Sequence, residues 1–199
     1  MGKPEKVLVI LLASLSLLAI SLSTSSRVNS EEEVFVRYDE GVLYVDNDWE
    51  SRSDVPSALT FKKNAFASIQ EAIDRADPSG INKIRVASGV YEETIVVDKE
   101  NLKISSLEGP RKTTIKSKKP NQPVVKIIEN EVTINGFTVT DASLSFGIYL
   151  KDTSRNLIVN NIAQKNSSGY FVQKTSDSRL DNNIAENNRT DGFFIHFSS

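Results

Sequence analysis

Short runs in which apolar and polar residues alternate fill the chain from about residue 81 onward. Alternation with a period of two is typical of β-strands, because successive side chains of a strand point to opposite faces. The runs are rich in Val, Ile, Phe and Thr, which favour strands over helices. The pattern predicts a set of apolar side chains that point into one core: Ile84, Val86, Ile95, Val97, Leu102, Ile104 and Ile115.

The strand pattern returns at a regular interval in the last third of the chain. A shift of 22 residues places NNIAQKNSSGYFV, from Asn160, over NNIAENNRTDGFFI, from Asn182, with one insertion before the glycine. A shift of 25 residues places VTINGFTVTDAS, from Val132, over LIVNNIAQKNSS, from Leu157. Repeats of about 20 to 50 residues indicate units that bury a face only against their neighbours. Since the repeats lack the fixed leucines of leucine-rich repeats, they predict an all-β fold, a right-handed parallel β-helix.

Each repeat contains a glycine followed by three apolar residues, of which the middle one is aromatic. The first and third of these predict core positions: Ile148 and Leu150, Tyr170 and Val172, Phe193 and Ile195. The middle residues, Tyr149, Phe171 and Phe194, are then expected to face outward in a row. We expect the glycines at 147, 169 and 192 to form a bend, and Asn135, Asn160 and Asn182 to form a ladder at another bend.

One segment, residues 64–80, has helical rather than strand periodicity. Phe66, Ile69, Ala72, Ile73 and Ala76 share one face. Ser68 and Glu71 have the spacing of a capping box, and Asp77 before Pro78 indicates the end of the helix. A helix this short is not stable alone, so we expect it to cap the first coil of the β-helix.

The N-terminal residues have the pattern of a secretory signal peptide. Lys3 and Lys6 precede an apolar run over residues 7–20, followed by a small-residue cleavage site at Ser21-Leu22-Ser23. The predicted organisation is a signal peptide over 1–23, alternatively an uncleaved membrane anchor, N-terminal strands and an acidic loop over 24–63, the capping helix over 64–80, and coils over 81–199. The predicted location is extracytoplasmic: secreted, periplasmic or at the cell surface. Because the last coil is expected to be uncapped, we also expect a truncated member of its lineage.

Several segments resemble a known superfamily. SIQEAI, IRVASGVYEETIVV, ENLKISS, and EGP followed by TTI resemble the N-terminal cap and first coils of pectin-lyase-like right-handed β-helix proteins. The GIYL, NNIA and GYFV units are similar to repeats of its periplasmic copper-binding branch, associated with nitrous-oxide-reductase maturation. The resemblance covers roughly residues 60–199. It implies a fold rather than an activity, because this superfamily includes lyases, hydrolases, esterases, adhesins and maturation factors.

The charged residues do not indicate a catalytic site. Lys and Arg number 24 and Asp and Glu 26, so no basic surface for nucleic acid is predicted. The segment from Gly89 to Glu93 resembles one found near the start of pectin methylesterases, but no segment resembles the catalytic motifs of that family. A pectate lyase would need carboxylates stacked on one face to bind calcium, whereas Asp152, Asp177 and Asp181 do not align in the repeat. The catalytic residues are therefore unknown.

The metal candidates are few. Copper sites use Cys, Met and His, but the chain has no Cys, its one Met is Met1, and its one His is His196. Asp46, Asp48 and Glu50 are weak calcium candidates, for which a solvated loop is the simpler interpretation. No cofactor is predicted. Two glycosylation sequons begin at Asn166 and Asn188.

The outward rings Tyr149, Phe171 and Phe194 are the candidate ligand-binding residues. A row of rings can stack on sugars or contact another protein, or it can simply stabilise the sheet. We expect a secreted or cell-surface module that binds a polysaccharide or another surface protein without chemistry, and that contacts a membrane only through an uncleaved N-terminal segment. The alternatives are a polysaccharide-active enzyme, of the pectate lyase or pectin esterase type, and a periplasmic maturation factor for a metalloenzyme.

Overall fold

Nearly all regular structure is β-strand in the computed structural model, which describes residues 38–196. The predicted signal peptide, residues 1–23, lies outside the described residues. The elements, in chain order, are β1 (Val42–Val45), β2 (Ala65–Phe66), α1 (Ile69–Arg75), β3 (Lys83–Val86), β4 (Gly89–Glu92), β5 (Ile95–Val97), β6 (Lys103–Ser106), β7 (Thr113–Lys116), β8 (Val125–Ile127), β9 (Thr133–Asn135), β10 (Thr138–Thr140), β11 (Phe146–Lys151), β12 (Leu157–Val159), β13 (Ile162–Gln164), β14 (Ser168–Gln173), β15 (Arg179–Asp181), β16 (Ile184–Glu186) and β17 (Phe193–His196).

The strands form three parallel sheets, and the chain visits the sheets in turn. The first sheet has the strand order β15-β12-β9-β6-β3-β1-β2, the second β16-β13-β10-β7-β4, and the third β17-β14-β11-β8-β5. Each passage through the three sheets is one coil, and β3 to β17 make five complete coils. The prediction of a parallel β-helix is therefore confirmed.

The predicted core residues of the first two coils all point inward. Ile84, Val86, Ile95, Val97, Leu102, Ile104 and Ile115 are fully buried, as are Ile148, Leu150 and Tyr170 of later coils. Burial of this continuous apolar column is the main stabilising term, since a buried Leu or Ile contributes about 1.5 to 3 kcal/mol. Phe193 and Ile195 occupy the equivalent positions of β17, the outermost described strand of its sheet, and are about half exposed.

The register of the repeat corrects the predicted asparagine ladder. Thr133 pairs with Leu157, so the shift between these coils is 24 residues and not 25. The predicted contact between Asn160 and Asn135 is present, since Nδ2 of Asn160 donates to Oδ1 of Asn135 at 3.1 Å. Gly136, rather than Asn135, nevertheless shares its position with Asn160 and Asn182. The three have φ of 82°, 55° and 51°. This corner requires a left-handed backbone, which Gly and Asn adopt at the lowest cost.

The predicted bend at the glycines of the repeat holds for Gly192, which lies at a bend just before β17, but is wrong for Gly147 and Gly169. Gly147 and Gly169 lie within β11 and β14, and their backbone is not left-handed. A Cβ on Gly147 would lie 2.6 Å from the carbonyl oxygen of Gly169 and 2.8 Å from Nδ2 of Asn166. The glycines are therefore explained by the close approach of the next coil and of a buried asparagine.

Buried asparagines join the coils at their corners. In the fourth coil these are Asn156, Asn161 and Asn166, at most 1% exposed. The amide of Asn161 accepts from the N–H of Phe137 at 3.0 Å and donates to the carbonyl of Ile134 at 3.0 Å. Each asparagine thus takes the place of a ladder partner where the chain turns between sheets, so that the buried backbone groups of the corner stay paired.

The helix covers the N-terminal edge of the sheets. Ser68 is its N-cap, as predicted, and accepts from the N–H of Glu71 at 3.3 Å. The carboxylate of Glu93 also accepts from the N–H groups of Ile69 and Gln70, at 2.9 and 3.0 Å. A carboxylate here satisfies helix N–H groups that have no partner within the helix.

Two side-chain amides replace backbone partners at this edge. Gln70 accepts from the N–H of Val96 at 2.8 Å and donates to its carbonyl at 3.3 Å. Asn47 donates to the carbonyl of Val90 at 3.0 Å. The edge strands β4 and β5 are thus partly paired although, among the described residues, no strand lies beyond them in their sheets. Within the part of the chain that the structure describes, no helix is long and apolar enough to span a membrane.

Candidate binding surface

A row of aromatic rings runs across the outer face of the third sheet. Tyr149 pairs with Phe171, and Phe171 with Phe194, in consecutive strands. The ring centroids are 5.1 and 5.0 Å apart, with planes only 12° and 7° from parallel. The sequence therefore placed these residues correctly: they are outward and in register.

The geometry of the row leaves part of each ring free. Two parallel rings in contact are about 3.5 Å apart, so centroids 5.0 Å apart imply a sideways offset of roughly 3.5 Å. Such an offset covers only part of each face. Tyr149 and Phe171 are half-buried, and Phe194 is 40% exposed. The row is thus both a stabilising stack and an accessible apolar strip.

Phe146 is a fourth member of this surface that the sequence did not predict. Its ring lies 4.5 Å from that of Phe171 and 5.6 Å from that of Tyr149. Strict alternation along β11 would place Phe146 inward with Ile148. Its contacts with the outward rings of Tyr149 and Phe171 show instead that the alternation is interrupted at Gly147.

Polar side chains border the aromatic row. Lys126 pairs with Tyr149 and so precedes the rings in the same outward column. Lys151, Gln173 and His196 form the next column on the same face. Burial raises the pKa of the Tyr149 hydroxyl, and the charge of Asp152 raises it further, so this hydroxyl is a neutral donor at physiological pH. A flat apolar strip with hydrogen-bonding groups along its border suits a ligand that is amphipathic.

The segment that resembles pectin methylesterases has a structural role. Tyr91 is buried, and its hydroxyl donates to the carbonyl of Ala87 at 3.0 Å. Burial raises its pKa far above the usual value. Since Glu93 binds the helix N-terminus, neither side chain points into an accessible cleft.

The acids of the later coils are distributed rather than gathered. Arg155 binds Glu131 of the preceding coil at 2.7 Å, and Asp181 binds Arg179 at 2.6 Å. Asp152 and Asp177 have a left-handed backbone, with φ of 54° and 52°, and thus occupy corners. The polysaccharide-active enzyme stays an untested alternative, and these contacts do not favour it.

The acidic loop carries the weak calcium candidates Asp46, Asp48 and Glu50. A carboxylate oxygen of Asp46 accepts from the N–H of Asp48 at 3.0 Å, which stabilises a turn. Among the described residues, no group of three or more His, Cys, Asp or Glu could hold a metal ion. The calcium site stays a prediction.

The two sequons differ in exposure. Asn166 is fully buried, and its amide donates to the carbonyl of Val139 at 3.1 Å. Asn188 is half-buried and binds the carbonyl of Ala163 at 2.9 Å. A glycan on Asn166 is incompatible with the folded chain, since the modified nitrogen is the donor of this buried bond.

A family model described as "Periplasmic copper-binding protein (NosD)" matches residues 82–199, which is more than half of the chain. The chain belongs to this family. The NosD match spans all five complete coils and leaves out α1. No curated protein and no solved structure matches the chain. The NosD description is of periplasmic proteins, in agreement with the extracytoplasmic location predicted from the N-terminal residues.

The copper in the NosD description does not fit the donors of this chain. The chain has no Cys, a single Met at position 1 and a single His, His196, on the edge strand β17. Protein copper sites combine two or more Cys, Met or His ligands. The described residues do not provide such a set, so their chemistry does not fit a copper site.

Proposed function

We propose that this NosD family member is a non-catalytic, extracytoplasmic binding module that binds a carbohydrate chain on the outer face of its third sheet. The observation that carries the proposal is the partly exposed stack of Tyr149, Phe171 and Phe194, with Phe146 beside it. Aromatic faces stack on the apolar face of a sugar, while hydroxyl, amide and amine groups bind its polar edge.

The spacing of the rings supports an extended ligand. Consecutive rings are separated by one coil, about 5 Å, which is comparable to the length of one sugar unit. A chain that lies along the row would contact one ring per unit, with Lys151 and Gln173 beside it for hydrogen bonds. The neutral donors Tyr149 and Gln173, with the two amines of Lys126 and Lys151 beside the rings, favour a glycan that is neutral or weakly acidic.

Binding to a glycan panel tests this proposal. We expect Phe171→Ala to weaken binding roughly five- to tenfold, because a stacking contact contributes about 1 to 1.5 kcal/mol and 1.4 kcal/mol corresponds to a factor of ten. Phe171→Leu keeps most of the apolar packing but removes the ring, so it separates stacking from burial. Lys103→Ala, an exposed outward residue of the first sheet, is the matched control and should bind normally.

Two results would contradict the proposal. One is a wild-type protein that binds no glycan on the panel. The other is a set of variants in which Phe171→Ala lowers the melting temperature but leaves glycan affinity unchanged. Either would assign the row to sheet stability alone.

A second candidate function, a periplasmic maturation factor for a metalloenzyme, is favoured by the family match over residues 82–199. In that case the β-helix would recognise a protein rather than a sugar. Copper titration of the purified protein, followed by calorimetry, distinguishes a maturation factor that binds copper itself from one that only contacts another protein. A tight stoichiometric site that disappears in His196→Ala would show direct copper handling, whereas no site would restrict the chain to protein contacts.

A further inference from the structure

The second coil, from β6 to β8, has longer corners than the other coils. Residues 107–112 join β6 to β7, and residues 117–124 join β7 to β8. In the other four coils the corner before the second sheet has two residues, and the corner after it has two to six. We call residues 107–112 the first insertion and residues 117–124 the second insertion. Insertions in a repeat form loops on one face, which is often the face that binds a ligand.

Hydrogen bonds hold both insertions against the third coil. The hydroxyl of Thr138 donates to the carbonyl of Pro110 in the first insertion at 2.7 Å. The N–H of Leu144 donates to the carbonyl of Pro120 in the second insertion at 2.9 Å. The hydroxyl of Ser106 also accepts from the N–H of Gly109 at 2.9 Å. The two loops are thus fixed in position on either side of β7, which lowers the entropy cost of binding a ligand there.

Positive charge is concentrated on β7 and the two insertions. Residues 109–128 contain six of the 24 Lys and Arg of the chain and none of its 26 Asp and Glu. One of the six, Lys126, borders the aromatic row of the third sheet. The other five follow one another along β7, and we call them the second-coil basic stripe: Arg111, Lys112, Lys116, Lys118 and Lys119.

The charges of the stripe are available to a ligand. The four residues in the insertions are exposed, and among the described residues none of them forms an ion pair. Lys116 binds Glu92 of the preceding coil at 3.2 Å, but the two side chains are 44% and 60% exposed. An exposed pair of this kind contributes little, so a ligand can replace Glu92. Five cations within nine residues also repel one another, and a bound polyanion removes that repulsion.

We propose that the second-coil basic stripe binds an acidic polysaccharide that lies along β7. The five cations form a line rather than a pocket, so their ligand is extended and carries repeated negative charge. The four residues of β7 span about 13 Å, roughly the length of three sugar units. A chain with a carboxylate on each sugar would therefore contact the first insertion, Lys116 and the second insertion in succession.

A linear polymer fits the stripe better than a flat anionic membrane does. The outward positions of the other second-sheet strands, β4, β10, β13 and β16, hold the acids Glu92 and Glu186 and otherwise neutral residues. A bilayer that covered this sheet would contact both acids, with Lys116 as the only cation among the outward strand positions. The stripe is one coil wide, about 4.8 Å, which suits a single polymer chain. Nucleic acid is a cytoplasmic polyanion, whereas the family is described as periplasmic.

The basic stripe is separate from the aromatic row, because it lies on the second sheet and the row lies on the third. The inference therefore does not rest on the proposed function. The two sites also differ in the ligand that they suit, since the stripe requires negative charge and the row requires an apolar sugar face.

Fluorescence anisotropy with a labelled alginate oligosaccharide, which has a carboxylate on every sugar, tests the proposal. Lys118→Ala/Lys119→Ala should weaken binding about fivefold or more, and Arg111→Ala/Lys112→Ala should do the same, because one chain contacts both insertions. Lys118→Arg/Lys119→Arg keeps the charge and should bind as the wild type does. Binding should weaken as salt is raised, and the logarithmic salt dependence should be shallower for each alanine pair.

Lys83→Ala/Lys103→Ala is the matched control. These two exposed residues are neighbours on the outer face of the first sheet, so the control removes the same charge from another surface and should bind alginate normally. The proposal would be overturned by a wild-type protein that does not bind alginate at low salt, by an equal loss in the control, or by an effect of only one insertion. Tighter binding to polyphosphate or to phosphatidylglycerol vesicles than to alginate would also overturn it. Binding of neutral glycans is measured separately and should persist in the stripe variants, so failure of one proposal does not conceal failure of the other.

Discussion

Asn166 is the residue at which the structure makes its sharpest claim about stability. Its side chain is fully buried at the corner between the second and third sheets of the fourth coil. Its amide donates to the carbonyl of Val139 at 3.1 Å and accepts from the N–H of Ala142 at 3.0 Å. Both partners belong to the preceding coil, so the side chain of Asn166 joins two consecutive coils through two buried hydrogen bonds.

The cost of removing this side chain follows from the two partners that it leaves. Asn166→Ala deprives one buried carbonyl and one buried N–H of their hydrogen bonds. Each unsatisfied group costs about 1 to 3 kcal/mol, so we expect the free energy of unfolding to fall by about 2 to 6 kcal/mol. Asn121→Asp is the control, because Asn121 is exposed on a turn and its backbone is not left-handed, and surface changes of this kind cost about 0.5 kcal/mol or less.

Asn166→Asp adds a signature that a cavity would not produce. Its carboxylate can accept from Ala142, but it faces the carbonyl of Val139 without a proton to donate. Burial raises the pKa of such an acid, so the variant is least stable when charged and recovers, relative to wild type, as the pH falls. Urea denaturation at neutral and acidic pH measures this. A loss below 1 kcal/mol for Asn166→Ala, or a pH-independent loss for Asn166→Asp, would refute the reasoning.

Two further predictions concern the repeat. A Cβ on Gly169 would lie 2.6 Å from the carbonyl oxygen of Gly192, so Gly169→Ala should lower stability by about 1 to 3 kcal/mol, whereas Gly80→Ala, with open space around it, should not; thermal melts distinguish them. Burial raises the pKa of Tyr170 above its ordinary value of 10.0, so stability should be constant below about pH 10 and fall at higher pH as the unfolded chain loses the proton. The slope is at most about 1.4 kcal/mol per pH unit per tyrosine. Because Tyr91 behaves alike, Tyr170→Phe should keep part of this slope in alkaline urea denaturation, and an unchanged slope would contradict it.

Most of the fold could be predicted because the repeat contains two independent regularities, the alternation within a strand and the shift between copies. Alternation along each strand gives the inward side, and the shift between copies gives the stacking partner, so Tyr149, Phe171 and Phe194 could be placed in register from letters alone. The predicted alignment of Asn135 with Asn160 was wrong by one residue: a shift of 25 residues aligns Asn160 with Asn135, whereas the observed shift of 24 aligns it with Gly136. Sequence preference could not distinguish the two alignments, because Asn and Gly both suit the same left-handed corner. Only the pairing of β9 with β12 fixes the alignment.

The predicted bend at Gly147 and Gly169 was wrong for a different reason. A glycine in a sequence indicates a permissive backbone or a close approach, and only the surroundings distinguish the two. Here the close neighbour of Gly147 is the amide of Asn166, which lies 19 positions later in the chain. Glu93, whose carboxylate accepts from the Ser68 hydroxyl at 2.8 Å, could not be predicted for the same reason, since the capping-box pattern accounts only for local bonds.

The candidate site shows why fold and function separate in this protein. Each coil must bury an inner column, and that requirement fixes the glycines, the corner asparagines and half of every strand. The outer columns are not fixed by it, so polar residues would serve on the third sheet as they do at Lys126 and Gln173. Packing between neighbouring rings stabilises the sheet by about 0.5 to 1.5 kcal/mol per pair. This stabilisation can explain why the aromatic residues are present, but it does not require the rings to be exposed. The exposed part of the rings is therefore the quantity to test, and a variant that keeps the stack while blocking its outer edge would separate the two roles.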